Sequence, residues 1–140
     1  MTKINFARVV LGGLVAGLIL NLGDFLVHEP VFGEEWKAAM LSYNMPEPGP
    51  GAIAWFVIMD LIVGISMVWL YAAIRPRFGA GARTAVVSGI IVWFFGWFWH
   101  MGGLVAMGIY PKNLILMTLV WGFFQIPIAA LVGGWLYKET

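Results

Sequence analysis

The sequence contains no cysteine, and only 11% of its 140 residues are charged. The absence of cysteine excludes a disulfide scaffold, a zinc finger and a thiol enzyme. An ordinary soluble domain carries about 25% charged residues, so this chain has too few to cover a water-exposed surface. Its eight lysines and arginines are scattered, which excludes a nucleic-acid-binding protein. The HExxH, GxSxG and Walker patterns of common enzymes are also missing.

Long apolar runs are what the chain has in abundance. Four of them, over residues 9–27, 53–74, 84–107 and 114–137, reach the length of about 18 residues that indicates a membrane span. They are predicted to be helices because backbone groups cannot stay unpaired in lipid. The first run is too long for a signal peptide, so we interpret it as a retained anchor. The sequence predicts one all-α domain over residues 1–140, a bundle of four transmembrane helices.

The basic residues are distributed unequally between the predicted loops. Only Lys37 and Lys112 lie on one side of the membrane. The other side has six: Lys3, Arg8, Arg75, Arg77, Arg83 and Lys138. Because positive charge collects on the cytoplasmic side, both termini are predicted to be cytoplasmic, in the cytoplasmic (inner) membrane. In the first outer loop, the stretch from Glu34 to Leu41 predicts a short interfacial helix.

The two halves of the chain share a faint pattern. The second span ends in Trp69-Leu70-Tyr71 and the fourth in Trp135-Leu136-Tyr137. A polar residue precedes each tryptophan by about the same distance, Asp60 in one case and Gln125 in the other. The pattern favours a two-helix hairpin used twice around an axis along the membrane normal. A chance match in so aromatic a sequence is the alternative.

Polar residues inside the spans are the candidate functional residues, because such groups usually face the interior of a bundle. Asn21, Asp24 and His28 continue a glycine stripe on the first span that is about 80° wide. Counting along the helices places Asp24, His28 and His100 in the outer third, and Asp60 roughly 10 Å below the outer surface. The polar residues together predict a chamber that opens outward: Asn21, Asp24, His28, Asp60, His100 and Gln125.

Three interpretations of this chamber compete. In the first, the polar groups are structural: Asp24 pairs with His28 to anchor the first span, and Asp60 hydrogen-bonds across helices. In the second, Asp24 and Asp60 bind a proton, an ion or a small solute, assisted by Asn21 and Gln125; a buried carboxyl group is expected to be paired or protonated. In the third, His28 and His100, with Asp24, hold a metal or a haem.

An aromatic run from Trp93 to Trp99 is the other unusual feature. Consecutive helical positions cover every side of a helix, so some of these rings face lipid and others the interior. The simpler interpretation is an interfacial belt combined with packing. The alternative is a stacking wall, with Trp93 and Trp97, for a flat lipophilic molecule. Pro127 is predicted to kink the fourth span next to Gln125.

Several short segments carry a resemblance. They are Ile4-Asn5-Phe6-Ala7, Val31-Phe32-Gly33-Glu34-Glu35-Trp36, Asp60 and the closing Gly-Trp-Leu-Tyr. With them the chain resembles, over nearly its whole length, the small bacterial four-span membrane proteins catalogued as a domain of unknown function. It departs from them at Asp24-Phe25 and His28-Glu29, where that family tends to have Trp-Tyr. The resemblance implies the four-span fold and no particular activity.

Three functions remain open from the sequence. The first is a non-enzymatic structural protein or accessory subunit, which associates as a homo-oligomer or within a larger membrane complex. The second is a transporter or channel that uses Asp60 and Asp24. The third is a metal or haem carrier or enzyme that uses His28 and His100. The lipid bilayer is the expected partner, and no cofactor is expected under the first two functions.

Overall fold

The computed structural model describes residues 3–139, which form an all-α bundle without strands in that range. This confirms the predicted fold class. Five helices follow one another along the chain: α1 (Phe6–Val31), α2 (Gly33–Ser42), α3 (Pro50–Phe78), α4 (Ala82–Ala106) and α5 (Lys112–Leu136). Of these, α1, α3, α4 and α5 are long and apolar enough to cross a membrane. The short α2 lies where the sequence predicts a helix in the first loop.

Six of the eight ends of the spanning helices extend beyond the apolar runs, whereas α4 and α5 each end one residue before them. The Asn5 side chain caps α1 by accepting a hydrogen bond of 3.2 Å from the Arg8 backbone N–H. Pro50 is the first residue of α3, where its missing N–H has no helical partner to lose. Gly79 ends α3 with a φ of 85°, a conformation that glycine adopts without a steric penalty.

Two helices contain a π-helical segment that the sequence analysis did not predict. In α1 the segment is Val27–Val31, and the Phe32 N–H donates to the Val27 carbonyl at 3.0 Å, five residues back. Pro30 lies inside it and has no N–H to donate, which disfavours regular α-helical bonding there. The second segment is Trp93–Phe98 in α4. Single π-helical turns of this kind are frequent at functional sites.

The packing order of the helices, which the sequence leaves open, is resolved. α1 lies between α3 and α5, and α4 packs against α5 and α3, so that α1 and α4 stand at opposite corners. The chain-consecutive pairs α1–α3 and α4–α5 are thus two adjacent hairpins. Tyr71 and Tyr137, the last residues of the two Trp-Leu-Tyr motifs, contact each other edge to face with ring centroids 6.0 Å apart. This placement agrees with a repeated hairpin, which stays a prediction.

One half of the bundle is held by direct backbone contact. We call the half that contains Arg8, Arg75 and Arg83 the arginine half, and the half next to α2 the cap half. In the arginine half, a Cβ atom added at Gly12 of α1 would lie 2.5 Å from the Gly133 carbonyl oxygen of α5. Glycines provide the same close approach between α1 and α3. Small residues allow membrane helices to pack at such short range.

In the cap half, α3 and α4 diverge. Every residue of α3 from Gly51 to Ile58 is exposed, and none from Trp93 to Ala106 of α4 is buried. α3 contacts the Ala82–Val92 part of α4 and has at most isolated contacts with the remainder. The space between residues 50–59 and 93–106 is therefore open, and we call it the α3–α4 cleft. Asp60 lies at its inner end.

Candidate functional site

The polar core of the protein is centred on an amide–carboxyl contact between α5 and α1. The Gln125 Nε2 donates to the Leu20 carbonyl oxygen and to Asp24 Oδ1, each at 2.9 Å. The Leu20 carbonyl can only accept, so the amide nitrogen must face it and the orientation of the amide is fixed. These bonds bring together two of the predicted site residues, Asp24 and Gln125.

Gly23 makes the room for this amide. A Cβ atom at position 23 would lie 2.5 Å from Gln125 Oε1 and 2.6 Å from Nε2. Only glycine therefore allows Gln125 to lie against α1 in this position. While Nε2 uses both of its hydrogens, the Oε1 atom is buried and accepts no hydrogen bond from any residue between 3 and 139. A buried acceptor without a donor is costly unless a ligand or water satisfies it.

Asp60 of α3 is buried but bonded to nothing within the described part of the chain. It is 7% exposed, and its carboxyl group has no hydrogen-bond or ion-pair partner among residues 3–139. The Asp60 backbone carbonyl oxygen lies 2.8 Å from the position that a Cβ atom of Gly17 would take, so this turn of α3 packs against α1, the helix that carries Asp24. In the same range the structure has one salt bridge, between Arg75 and Glu139 at 3.7 Å. The structural interpretation expected Asp60 to bond across helices, and the structure does not show that bond.

Asn21 does join two helices. Its Nδ2 donates to the Gly17 carbonyl within α1 at 3.0 Å and to the Val57 carbonyl of α3 at 3.2 Å. The side chain is half-buried and both of its amide hydrogens are used. Asn21 therefore lies beside Asp60 and Asp24 as a link between α1 and α3.

The two histidines lie in different surroundings. The His28 Nδ1 is 2.8 Å from the Asp24 backbone carbonyl, which can only accept, so Nδ1 carries the proton. The expected pairing of His28 with Asp24 thus involves the backbone rather than the carboxyl group. His100 is exposed on α4. Between residues 3 and 139, no three histidine, aspartate or glutamate side chains are grouped closely enough to hold a metal ion.

An aromatic cluster that sequence reasoning missed fastens α2 onto the bundle. The Trp36 ring of α2 lies 5.0 Å from the His28 ring and 5.5 Å from the Tyr110 ring, centroid to centroid. Tyr43 packs edge to face on Tyr110 at 5.8 Å and donates to the Gly108 carbonyl at 3.3 Å. α2 is therefore held against α1 and the α4–α5 loop. The presence of aromatic residues in both loops is the sequence signal that could have revealed this cluster.

Trp93 and Trp97, the candidates for stacking a lipophilic molecule, are packed against α5. The Cδ1 atoms of Trp93 and Trp97 lie 3.4 and 3.5 Å from the position that a Cβ atom of Gly122 would take. The Trp93 indole N–H donates to the Leu119 carbonyl at 3.1 Å. These two rings serve the α4–α5 interface, whereas Phe95 and Trp99 of the same run are exposed.

A groove on the outward face of α5 is a second feature that the sequence analysis did not identify. It has a volume of about 630 Å³. We call it the α5 groove, and its lining residues are Phe32, Leu116, Met117, Val120, Trp121, Phe124, Gln125 and Ile128. Large apolar residues at every fourth position of α5 were the signal that could have revealed it, because such residues share one helix face. Gln125 therefore belongs both to the lining of the groove and to the contact with Asp24.

Comparisons of the sequence and of the fold with family models, curated proteins and solved structures find no match. The resemblance to the small four-span membrane proteins stays a prediction. The chemistry of the site has to be argued from its own residues.

Proposed function

We propose that this protein is a membrane protein that binds a proton or a small cation at Asp60 and Asp24 and conducts it across the bilayer. The observation that carries the proposal is Asp60, a residue only 7% exposed on the helix that packs against the one bearing Asp24, whose carboxyl group has no hydrogen-bond or ion-pair partner among residues 3–139. A residue that serves only packing is expected to have its polar atoms bonded. Carboxyl groups within spans often mark ion or proton pathways.

The surroundings of Asp60 favour a transferable ligand over a permanent partner. Neither Asp24 nor Asp60 has a lysine or arginine bonded to it in the described range. Two neighbouring carboxylates without a salt bridge to a lysine or arginine attract a cation, and they cannot both remain charged at low cost. Gln125 holds Asp24 in place by a hydrogen bond of 2.9 Å, which leaves Asp60 as the less constrained group.

The α3–α4 cleft supplies a route to this pair. It opens at the cap half, and Asp60 lies at its inner end. The tight glycine contacts of the arginine half close the opposite side. With the basic residues of the arginine half on the cytoplasmic side, the cleft would face outward from the cytoplasmic membrane. An ion would then enter from outside and meet its barrier below Asp60.

The test is ion flux into vesicles that contain the purified protein. Proteoliposomes loaded with a dye sensitive to protons, to Na⁺ or to K⁺ are given a gradient of that ion, and an ionophore for a counter-ion prevents the build-up of a membrane potential. Wild-type protein is expected to dissipate at least one gradient faster than empty vesicles. Asp60→Asn keeps the shape of the side chain without its charge, and it is expected to reduce the flux to the level of empty vesicles.

Ser88→Ala is the matched control. Ser88 is a buried polar residue of the arginine half, and its hydroxyl donates only to the nearby Ala85 carbonyl at 2.8 Å. Its removal is expected to leave the flux unchanged. Full flux in Asp60→Asn, or no flux of any of the three ions with wild-type protein, would contradict the proposal.

A second candidate function, an accessory subunit or homo-oligomer, is favoured by the exposed aromatic rings beside the cleft. Trp55 and Phe56 of α3 are 60% and 59% exposed, and Phe95 and Trp99 of α4 are 69% and 73% exposed. A partner helix inserted between them would cover both sets. A single Phe56→Cys substitution would form a disulfide between two copies if the α3 helix of the second copy provides that helix, whereas a monomer in the membrane would form none.

A further inference from the structure

Two tyrosine rings form a layer across the end of the bundle in the arginine half. Tyr71 of α3 and Tyr137, the first residue after α5, are both buried. The Tyr137 hydroxyl accepts a hydrogen bond of 3.3 Å from the Asn5 N–H at the start of α1. The Tyr71 hydroxyl accepts one of 3.2 Å from the Gly81 N–H, immediately before α4. Because the two rings also contact each other, this tyrosine layer joins the ends of all four spanning helices.

Tyr137 is the member of the tyrosine layer that can move without moving a helix. α5 ends at Leu136, and the Tyr137 backbone is extended, with φ of −75° and ψ of 127°. Residues at the ends of helices are the usual hinges, because they absorb a change in φ and ψ without breaking helical hydrogen bonds. Tyr71, by contrast, lies inside α3 and is fixed by it.

Arg75 holds the Tyr137 side chain in place from the next turn of α3. Its guanidinium carbon lies 5.5 Å from the centroid of the Tyr137 ring and 5.9 Å from that of Tyr71. The guanidinium group also pairs with Glu139, two residues after Tyr137, at 3.7 Å. Cation–π contacts and ion pairs that water can reach are individually weak. The closed position of Tyr137 therefore depends on contacts that water can replace.

The buried face of α3 leads from the ion site to this layer. Asp60, Met67 and Tyr71 are buried in turn along that face, at spacings of about two turns and one turn. An ion that crosses the bilayer has to leave by the arginine half. There the glycine contacts between helix backbones contain no side chain that can move aside, whereas the tyrosine layer does.

We propose that the tyrosine layer is the gate at the arginine-half end of the ion route, and that Tyr137 opens it by swinging away from Tyr71. Apolar constrictions of this kind close a channel by excluding water. The inference rests on the proposed ion conduction and adds the element that regulates it. In the closed gate, the Asp60 site communicates with the α3–α4 cleft alone.

The test is the rate at which a membrane-impermeant thiol reagent labels Met67→Cys in the purified full-length chain in mild detergent. Met67 is fully buried about one turn from Tyr71 on the side of Asp60, and the chain has no natural thiol. Tyr137→Ala removes the ring and is expected to raise the labelling rate about tenfold, because local opening governs access to a buried group. Tyr137→Phe keeps the ring and is expected to leave the rate unchanged.

Two further positions separate an open gate from a damaged protein. Trp135→Ala truncates a 78% exposed ring two residues before Tyr137 and is expected to leave the rate unchanged. Leu114→Cys, at a buried position of α5 in the cap half, is expected to stay unlabelled in Tyr137→Ala, as it would in any folded variant. No increase for Met67→Cys in a folded Tyr137→Ala variant, or an equal increase in Tyr137→Phe or Trp135→Ala, would overturn the proposal.

Glu139→Arg tests the same gate with both rings intact, and it decides the question if Tyr137→Ala does not fold. It places a like charge beside Arg75 and is expected to raise the labelling of Met67→Cys about threefold, as for the loss of a weak ion pair. An unchanged rate would overturn the proposal. Labelling requires no ion flux, so the two proposals fail separately: absence of wild-type flux contradicts conduction, whereas unchanged labelling contradicts the gate.

Discussion

In the arginine half, α1 meets α3 and α5 backbone to backbone through glycines, whereas in the cap half α3 and α4 separate and leave polar side chains incompletely bonded. The two halves use the same four long helices. They differ in which residue types face the neighbouring helix. Small residues bring the helices together in one half, and in the other half carboxyl and amide groups face the space between the helices.

The difference indicates a division of roles along the membrane normal. Close helix contacts stabilise a membrane bundle, because packing replaces the hydrophobic effect as the driving force in lipid. Unbonded polar groups cost stability and are retained at sites where a ligand binds. The arginine half is therefore expected to hold the fold, and the cap half to hold the ligand. Substitutions in the two halves should then have different consequences.

The largest effect is expected at the α1–α3 contact. A Cβ atom at Gly64 would overlap the Gly13 carbonyl and the backbone of Gly17, so Gly64→Leu cannot fit unless the two helices separate. We expect a loss of about 3 kcal/mol or more, at the upper end for overpacked cores. Thermal unfolding in detergent is the measurement.

Gly103→Leu is the matched control for Gly64→Leu. A Cβ atom at Gly103 would have no other atom within 4 Å, because this part of α4 is open. The substitution is expected to leave the stability unchanged or to raise it by about 0.5 kcal/mol, since glycine is unfavourable inside a helix. Equal losses at the two positions would show that the halves do not differ in packing.

The next prediction concerns water in the α3–α4 cleft. Because the chain has no cysteine, a single introduced thiol can be labelled without background. Phe56→Cys lies one turn from Asp60 towards the cap half, and Met67→Cys lies at a fully buried position in the arginine half. A membrane-impermeant thiol reagent is expected to label the first and not the second. Protection of both thiols in vesicles would mean that lipid or a partner fills the cleft, and the route to Asp60 would be lost.

A smaller and opposite effect on stability is expected from the two carboxyl groups. Asp60→Leu removes a buried group without partners, so we expect it to stabilise the folded protein by about 1–3 kcal/mol while it abolishes ion binding. Asp24→Leu is the comparison. It leaves a Gln125 N–H unbonded and is expected to destabilise by about 1–3 kcal/mol. If thermal unfolding shows that both substitutions change the stability in the same direction, the distinction between a free and a bonded carboxyl group would be contradicted.

The fold could be predicted from the sequence because one physical rule determines it. A run of about 20 apolar residues must be a helix in lipid, and the four runs correspond to α1, α3, α4 and α5. The ends of the helices were predicted less accurately, because the apolar side chains stop a few residues before the helical hydrogen bonds do. The second span was predicted to start at Ile53, whereas α3 starts at Pro50.

The arrangement of the site could be predicted only in part. Helical spacing places Asn21 and Asp24 on one stripe, but it does not determine which neighbour each residue meets. In the structure Asn21 bonds to α3 and Asp24 bonds to α5, because the packing order places α1 between those helices. For Trp93 and Trp97 the sequence leaves both packing and a stacking wall for a ligand open, because it does not show that Gly122 of α5 accommodates the two rings. The π-helical segments have no sequence signal beyond Pro30.

The smallest effect is expected at Asn21, whose bond joins α1 and α3 at the boundary of the two halves. Asn21→Leu removes the bond of 3.2 Å to the Val57 carbonyl. It is expected to cost about 0.6 kcal/mol, the average for polar contacts between membrane helices. Thr118→Val is the control, because the Thr118 hydroxyl bonds at 3.0 Å only to Leu114 of its own helix.

If thermal unfolding gives the same small loss for Asn21→Leu and Thr118→Val, the contact between α1 and α3 depends on the glycines alone. A loss of about 3 kcal/mol for Asn21→Leu would be too large for one such bond. It would mean that Asn21 also holds the space around Asp60 and Asp24 in shape. Asn21 would then belong to the part of the bundle that binds a ligand and not to the part that stabilises the fold.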